Sequence, residues 1–148
     1  MSRGESSVLF SCGRVRLDRA GLRAFALRLR DDVANGRCFT CLISRDAELR
    51  RLNREFLSKD YPTDVLSFPA GARDGFLGEM AISADRAAAQ AADNGHSIDD
   101  EIRILMLHGV LHLLGFDHEG DRGRMRRMET RWRKALGLPA GLIERVHA

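Results

Sequence analysis

The spacing of apolar residues along the chain predicts helices that alternate with short strands. Leu22, Phe25 and Leu29 recur at helical spacing, and Asp18 before them is suited to cap a helix N-terminus. The runs RCFTCLIS and FLGEMAIS are apolar segments of strand length. The segment VLFSCGRVRL suggests an earlier strand or hairpin, and DAELRRLNREFLS has a helical apolar stripe.

Two prolines bracket a further short strand. Val65, Leu66 and Phe68 lie between Pro62 and Pro69, and a proline at each end is compatible with an edge position in a sheet. Strands interleaved with helices over this length predict an α+β or α/β domain. We expect the α+β class, with one domain over residues 1–148 in which helices pack on a mixed β-sheet.

Three further helices are predicted in the second half of the chain, and the first of them is the alanine-rich segment ADRAAAQAADNG. SIDDEIRILMLHGVLHLLG begins with Ser97 as a natural N-cap, has acidic residues in its first turn, and is stopped by Gly115. The last helix, about residues 122–136, has Met125, Met128 and Trp132 on one side and arginines on the other. We expect its apolar side to pack into the core. A basic amphipathic helix of this kind can also bind an acidic protein or a membrane surface.

Composition places the chain among ordinary globular proteins. It has 148 residues, of which 44% are hydrophobic and 30% charged, and no stretch approaches the roughly 20 apolar residues of a membrane helix. The N-terminus is too charged for a signal peptide, so we expect a cytoplasmic protein without a membrane partner. The three cysteines form no disulfide framework, and the spacing of Cys38 and Cys41 is better explained by strand packing than by a redox or zinc motif.

The net charge of +3 and the pI near 9.1 come almost wholly from arginine. The planar guanidinium of arginine suits phosphate, so nucleic acid is one predicted partner. A genome that favours arginine codons would give the same composition. The two explanations are equally good from composition alone.

Three histidines lie within the stretch LHGVLHLLGFDH. His108 and His112 are four residues apart and therefore share one helix face, and Gly115 allows the chain to turn so that His118 supplies a third nitrogen. Three protein ligands and an open position are typical of catalytic zinc. The spacing matches the metzincin peptidases, except that Gly109 replaces their glutamate base. A related fold is therefore compatible with the pattern, but peptide hydrolysis is not expected.

Together, LNREFLSKDYPTDVLSFP, LGEMAIS and LHGVLHLLGFDH resemble the YbeY family of bacterial zinc-dependent endoribonucleases. The resemblance runs from about Glu48 to Leu138. It implies a zincin-like fold and one Zn²⁺ held by His108, His112 and His118. It further implies a single-strand-specific endoribonuclease that processes ribosomal RNA, chiefly the 3′ end of the small-subunit RNA, and acts in ribosome quality control. Ribosomal RNA, ribosomal subunits and ribosome-associated proteins are the implied partners.

The chain departs from the family pattern at two positions. Leu57 stands where many members have an arginine, and Glu79 stands where many have aspartate. If that arginine contacts RNA phosphate, another residue must replace it, and the segment SRDAELRR or the last helix offers candidates.

Besides His108, three carboxylates are candidate catalytic residues that could serve as auxiliary bases: Asp64, Glu79 and Asp117. The candidate RNA-binding residues are Arg73, Arg122 and Arg126. Because zinc generates hydroxide near neutral pH, a phosphodiester hydrolase has less need of a glutamate after its first histidine. Two alternatives remain: a non-enzymatic ribosome-assembly factor with a structural zinc, and a metal-dependent hydrolase of a peptide or other non-RNA substrate.

Overall fold

The computed structural model describes residues 7–60, 63–71, 75–117 and 122–140. Four strands and five helices occur within these ranges, in the order β1 (Ser7–Phe10), α1 (Arg19–Arg28), β2 (Cys38–Ser44), α2 (Asp46–Leu57), β3 (Val65–Pro69), β4 (Phe76–Ser83), α3 (Ala84–Asn94), α4 (Ile98–Leu113) and α5 (Arg124–Ala135). A π-helical turn, Leu29–Val33, extends α1. The predicted α+β fold with a mixed sheet is confirmed.

The four strands form one sheet in the order β1-β2-β4-β3. β1, β2 and β4 are parallel, so β1 is not part of a hairpin with β2. β3 pairs antiparallel with β4 and lies at the edge, where Pro69 is tolerated, as predicted. Between β2 and β4, Cys38 pairs with Phe76 and Phe39 with Gly78, so Leu77 is the extra residue of a bulge.

The two faces of the sheet carry different helices. Residues directly opposite in an antiparallel pair share a face. Ser67 pairs with Met80, and both lie within reach of Gly109, so this pair faces α4. Leu66 lies on the other face, where it packs with Leu49 of α2 and Ala81. Successive side chains of β3 therefore point alternately towards α4, as Ser67 does, and towards α2, as Leu66 does.

Helix α4 is the central element of the core. It contacts α1, α3, α5, β3 and β4, and 11 of its 16 residues are buried. Ser97 caps it as predicted, accepting a hydrogen bond from the Asp100 amide at 3.0 Å. At the other end, the Gly115 amide donates to the His112 carbonyl and the Phe116 amide to the Leu111 carbonyl, a Schellman motif with Gly115 at φ 99°. The histidines are thus carried by a buried and well-capped helix.

The cysteines have a structural role. Cys38 and Cys41 lie in β2, and both are buried thiols without a disulfide, as is Cys12. Burial raises the pKa of the Cys41 thiol, which keeps it protonated and unreactive. The interpretation of the C-x-x-C motif as part of a strand is therefore confirmed. No helix among the described residues is long and apolar enough to cross a membrane.

Candidate metal centre

His108 and His112 lie one turn apart on α4 with their imidazoles turned towards each other. Their Nε2 atoms are 3.2 Å apart, and the ring planes meet at 74°. Two nitrogens bound to zinc at about 2.05 Å in tetrahedral geometry would be separated by about 3.3 Å. The observed spacing therefore fits two ligands of a single zinc ion, the arrangement that the sequence predicts.

The ring of His108 is also held from its other side. Its Nδ1 lies 2.9 Å from Oε2 of Glu129, which α5 contributes from 21 residues further along the chain. Both residues are buried, with 7% and 1% of their surface exposed. His112, by contrast, is only half-buried, so part of its surface reaches solvent.

Glu129 is a residue of this centre that the sequence pattern did not single out. It is the only acidic residue of α5 and lies among arginines. Its spacing of four from Met125 and three from Trp132 places it beside the apolar stripe of the helix. An acid at the border of a buried stripe is unusual because burying a carboxylate without a partner is costly. That position was the signal in the sequence that could have identified it.

The third predicted ligand, His118, lies outside the described residues. Within them, no group of three His, Cys, Asp or Glu side chains is arranged to hold a metal. Asp117 is exposed, and it follows Phe116, which packs against the core after the turn at Gly115. The chain therefore turns back against the core directly after α4. The three-histidine site remains a prediction, with two of its ligands in the described structure.

Position 109 lies where α4 packs closely on the sheet. A Cβ on Gly109 would lie 2.8 Å from Sδ of Met80 and 3.4 Å from Oγ of Ser67. The Ser67 hydroxyl donates to the Gly109 carbonyl at 3.3 Å. A glutamate at this position, which metzincins carry after their first histidine, would therefore have to displace the side chain of Met80. Gly109 lies where helix and sheet approach closely.

The structure does not bring Asp64 or Glu79 to the histidines. Asp64 precedes β3, where its carboxylate accepts hydrogen bonds from the Val65 amide at 2.8 Å and from Gln90 of α3 at 3.2 Å. Glu79 pairs with Phe68, one position along from the Ser67–Met80 pair. It therefore lies on the α2 face, with the sheet between it and α4. Our expectation that Glu79 could act as a base beside the zinc is corrected on this ground.

On the α2 face, Glu79 lines a surface groove of about 500 Å³ together with Leu52, Phe56 and Phe68. Leu57, the position at which the resemblance led us to expect an arginine, lies at the end of α2 and is 43% exposed. The nearby arginines of SRDAELRR all pair with carboxylates: Arg45 with Asp85, Arg50 with Asp60, and Arg51 with Glu48 and Glu55. The Arg50 guanidinium also holds the pKa of Asp60 below its usual range.

The predicted phosphate-binding arginines lie at and near α5, as far as the structure describes them. Arg73 lies outside the described residues. Arg122 is exposed, has a backbone φ of 59°, and directly precedes Gly123, the N-cap of α5. Arg126 belongs to a basic stripe that lines a shallow depression of about 460 Å³ with Arg127, Arg131 and Lys134. This basic stripe faces away from the apolar side of α5, which packs on the core as predicted.

The chain is similar to known proteins in both sequence and structure. A family model described as Endoribonuclease YbeY matches residues 22–137. A protein named Endoribonuclease YbeY from Solibacter usitatus is 60% identical over 143 residues, which cover 97% of this chain and 96% of the relative. Another of that name, from Helicobacter pylori strain J99, is 44% identical over 120 residues, covering 80% and 85%.

A structural relative supports the architecture. A solution structure of a Thermotoga maritima protein matches with a TM-score of 0.60 over 85% of each chain, at 23% sequence identity. At this level of identity the likeness concerns the fold.

Proposed function

Because this chain belongs to the YbeY endoribonuclease family, we propose that it is a zinc-dependent endoribonuclease that hydrolyses phosphodiester bonds in single-stranded regions of ribosomal RNA. The observation that carries the proposal is the facing pair of imidazoles on α4, with Nε2 atoms 3.2 Å apart. Processing of the small-subunit RNA at its 3′ end, contact with ribosomal subunits and ribosome-associated proteins, and action in the cytoplasm form part of the same proposal.

His108, His112 and His118 would hold the metal. A zinc ion at such a site lowers the pKa of a bound water to about 7 and polarises a phosphoryl oxygen. α4 contributes rigidity, because a buried helix capped at both ends fixes the two imidazoles relative to each other. A phosphodiester would approach from the side of His112, which is only half-buried.

The basic stripe of α5 would bind RNA phosphates. Arg126, Arg127, Arg131 and Lys134 lie together on the outer side of the helix that contributes Glu129 from its inner side. Arginine binds phosphate through paired N–H groups, so the stripe suits a nucleic-acid backbone. Because only one helix separates it from His108, RNA held there lies close to the candidate centre.

Asp117 is the predicted auxiliary base that lies nearest in sequence to the histidines. It is exposed at the end of α4, on the segment that leads to His118. Asp64 is less available as a base, because its carboxylate already accepts hydrogen bonds from the Val65 amide of β3 and from Gln90 of α3. A base at this site would accept a proton either from the attacking water or from the 2′-hydroxyl of the RNA.

Peptide hydrolysis in the manner of metzincins is disfavoured by the packing at Gly109. A glutamate there would have to displace the buried side chain of Met80.

The test is RNA cleavage and zinc content in a small set of variants. His112→Ala is expected to lose bound zinc and about 100-fold or more in cleavage rate, because it removes one of three ligands. His96→Asn is the matched control: it removes an imidazole that lies 2.6 Å from Glu101, outside the candidate centre, and leaves a donor for that carboxylate. Cleavage by His112→Ala at the parent rate would reject metal catalysis at this pair. Zinc-loaded parent that binds RNA without cutting it would instead support the assembly-factor alternative.

A further inference from the structure

A buried carboxylate with a defined partner lies behind the candidate metal ligands. Glu129 is 1% exposed, and its Oε2 lies 2.9 Å from Nδ1 of His108. Glu129 lies beside the apolar stripe of α5, where hydrophobic packing alone does not call for a carboxylate. A glutamate there requires an explanation that hydrophobic packing does not supply.

The hydrogen bond determines which nitrogen of His108 carries a proton. A carboxylate oxygen accepts, so Nδ1 of the imidazole donates. When Nδ1 holds the proton of a neutral imidazole, the lone pair is on Nε2. That atom is the one that faces His112 across 3.2 Å. The contact with Glu129 therefore selects the tautomer that can bind a metal between the two rings.

The same contact fixes the orientation of the ring. A histidine on a helix can rotate about two side-chain bonds, and a partner at Nδ1 restricts both. Glu129 acts from a different helix, so its effect also depends on the packing of α5 against α4. Since α5 carries the basic stripe on its outer side, one helix connects RNA binding and ligand positioning.

We propose that Glu129 is a positioning residue that orients His108 and sets its tautomer for metal binding, so that α5 forms part of the metal site. The inference rests on the proposed metal site. An ion pair that merely attaches α5 to α4 would give the same contact, but it would affect stability and leave zinc affinity unchanged. The two roles can therefore be separated by measurement.

The experiment measures zinc affinity by chelator competition and apo-protein melting temperature in the same variants. Glu129→Gln keeps the size of the side chain and replaces the carboxylate with a weaker acceptor. We expect it to fold and to bind zinc about 10- to 100-fold more weakly than the parent. We also expect a changed visible absorption spectrum of the cobalt(II)-loaded protein, because the geometry of the ligand changes.

Met128→Ala is the matched control on the same helix. Met128 packs against the core without belonging to the histidine pair. We expect it to lower the melting temperature while leaving zinc affinity and the cobalt spectrum unchanged. If Glu129→Gln does not fold, Glu129→Asp restores the carboxylate at a shorter reach and carries the same expectation of weakened zinc binding.

The outcomes separate this inference from the proposed function. Parent protein that binds zinc, with Glu129→Gln binding it equally tightly and giving the parent cobalt spectrum, overturns the positioning role alone. Parent protein that binds no zinc overturns the proposed metal site and this inference with it. Weakened zinc binding in a folded Glu129→Gln protein supports the role, whether or not the parent cleaves RNA.

Discussion

A side chain at position 109 would meet the sheet that supports α4. We predict that Gly109→Ala destabilises the protein by about 1–3 kcal/mol, because the added Cβ would lie 2.8 Å from Sδ of the buried Met80. The corresponding fall in melting temperature is about 2–4 °C per kcal/mol for a domain of this size. Thermal unfolding of the apo protein is the measurement.

Met80→Val on the Gly109→Ala background is the control, because it removes the atoms that the new Cβ would touch. The double variant should be more stable than the sum of the two single effects predicts. A Gly109→Ala protein more stable than the parent would contradict this explanation of the glycine. Alanine's higher helix propensity, worth about 1 kcal/mol, would then outweigh the contact.

Single residues whose partners are local could be predicted from the sequence. Asp18 and Ser97 cap their helices as expected, because a cap depends on residues only two or three positions away. Glu129 was missed because its partner, His108, lies on another helix. Sequence spacing relates residues within a helix but does not relate two helices that meet by packing.

Among the secondary-structure elements, β4 has a glycine, Gly78, directly after its bulge residue Leu77. Its φ is 143°, and a Cβ there would lie 2.3 Å from the backbone carbonyl oxygen of Phe68. Because backbone cannot move aside as a side chain can, we predict that Gly78→Ala lowers the free energy of unfolding by more than about 2 kcal/mol. Chemical denaturation, followed to its midpoint, gives this value.

Gly95→Ala is the matched control for Gly78. Gly95 also has a positive φ, 72°, but nothing lies within 4 Å of the position that a Cβ would take. Its substitution should cost only the strain of a left-handed backbone, about 1–2 kcal/mol. Equal destabilisation at the two positions would show that the contact with Phe68 does not matter.

The basic stripe of α5 gives a second prediction for a single element. Arg126 and Lys134 line its outer depression. We predict that Arg126→Ala together with Lys134→Ala weakens RNA binding and makes its salt dependence shallower. The slope of log affinity against log salt should fall by about 0.7 for each phosphate of single-stranded RNA that the variant no longer neutralises. RNA affinity measured over a series of salt concentrations tests this.

Arg14→Ala is the control for charge alone, since Arg14 is exposed outside α5. It should leave the salt slope close to that of the parent. An unchanged slope in the α5 double variant would place RNA binding on another surface.

Across the domain, the alternation of elements predicted the α+β class and the edge position of β3. The sequence did not reveal that β1 joins β2 in parallel, because strand order is set by long-range packing. It also suggested that Glu79 could act beside the histidines, although the sheet separates them. The bulge at Leu77 changes which residues of β4 face α4. A prediction that assumes strict alternation of side chains between the two faces of a strand does not include such a bulge.

The proposed function requires that a metal held by the histidines of α4 and the segment after it cuts RNA. One preparation is stripped with a chelator and divided, and one half is reloaded with zinc. Both halves are then incubated with an RNA that contains the 3′ end of the small-subunit RNA, beside His108→Ala protein treated identically. We predict cleavage by the zinc-loaded parent alone. Equal cleavage by the stripped half, or by His108→Ala, would show that the metal at these histidines does not cut RNA.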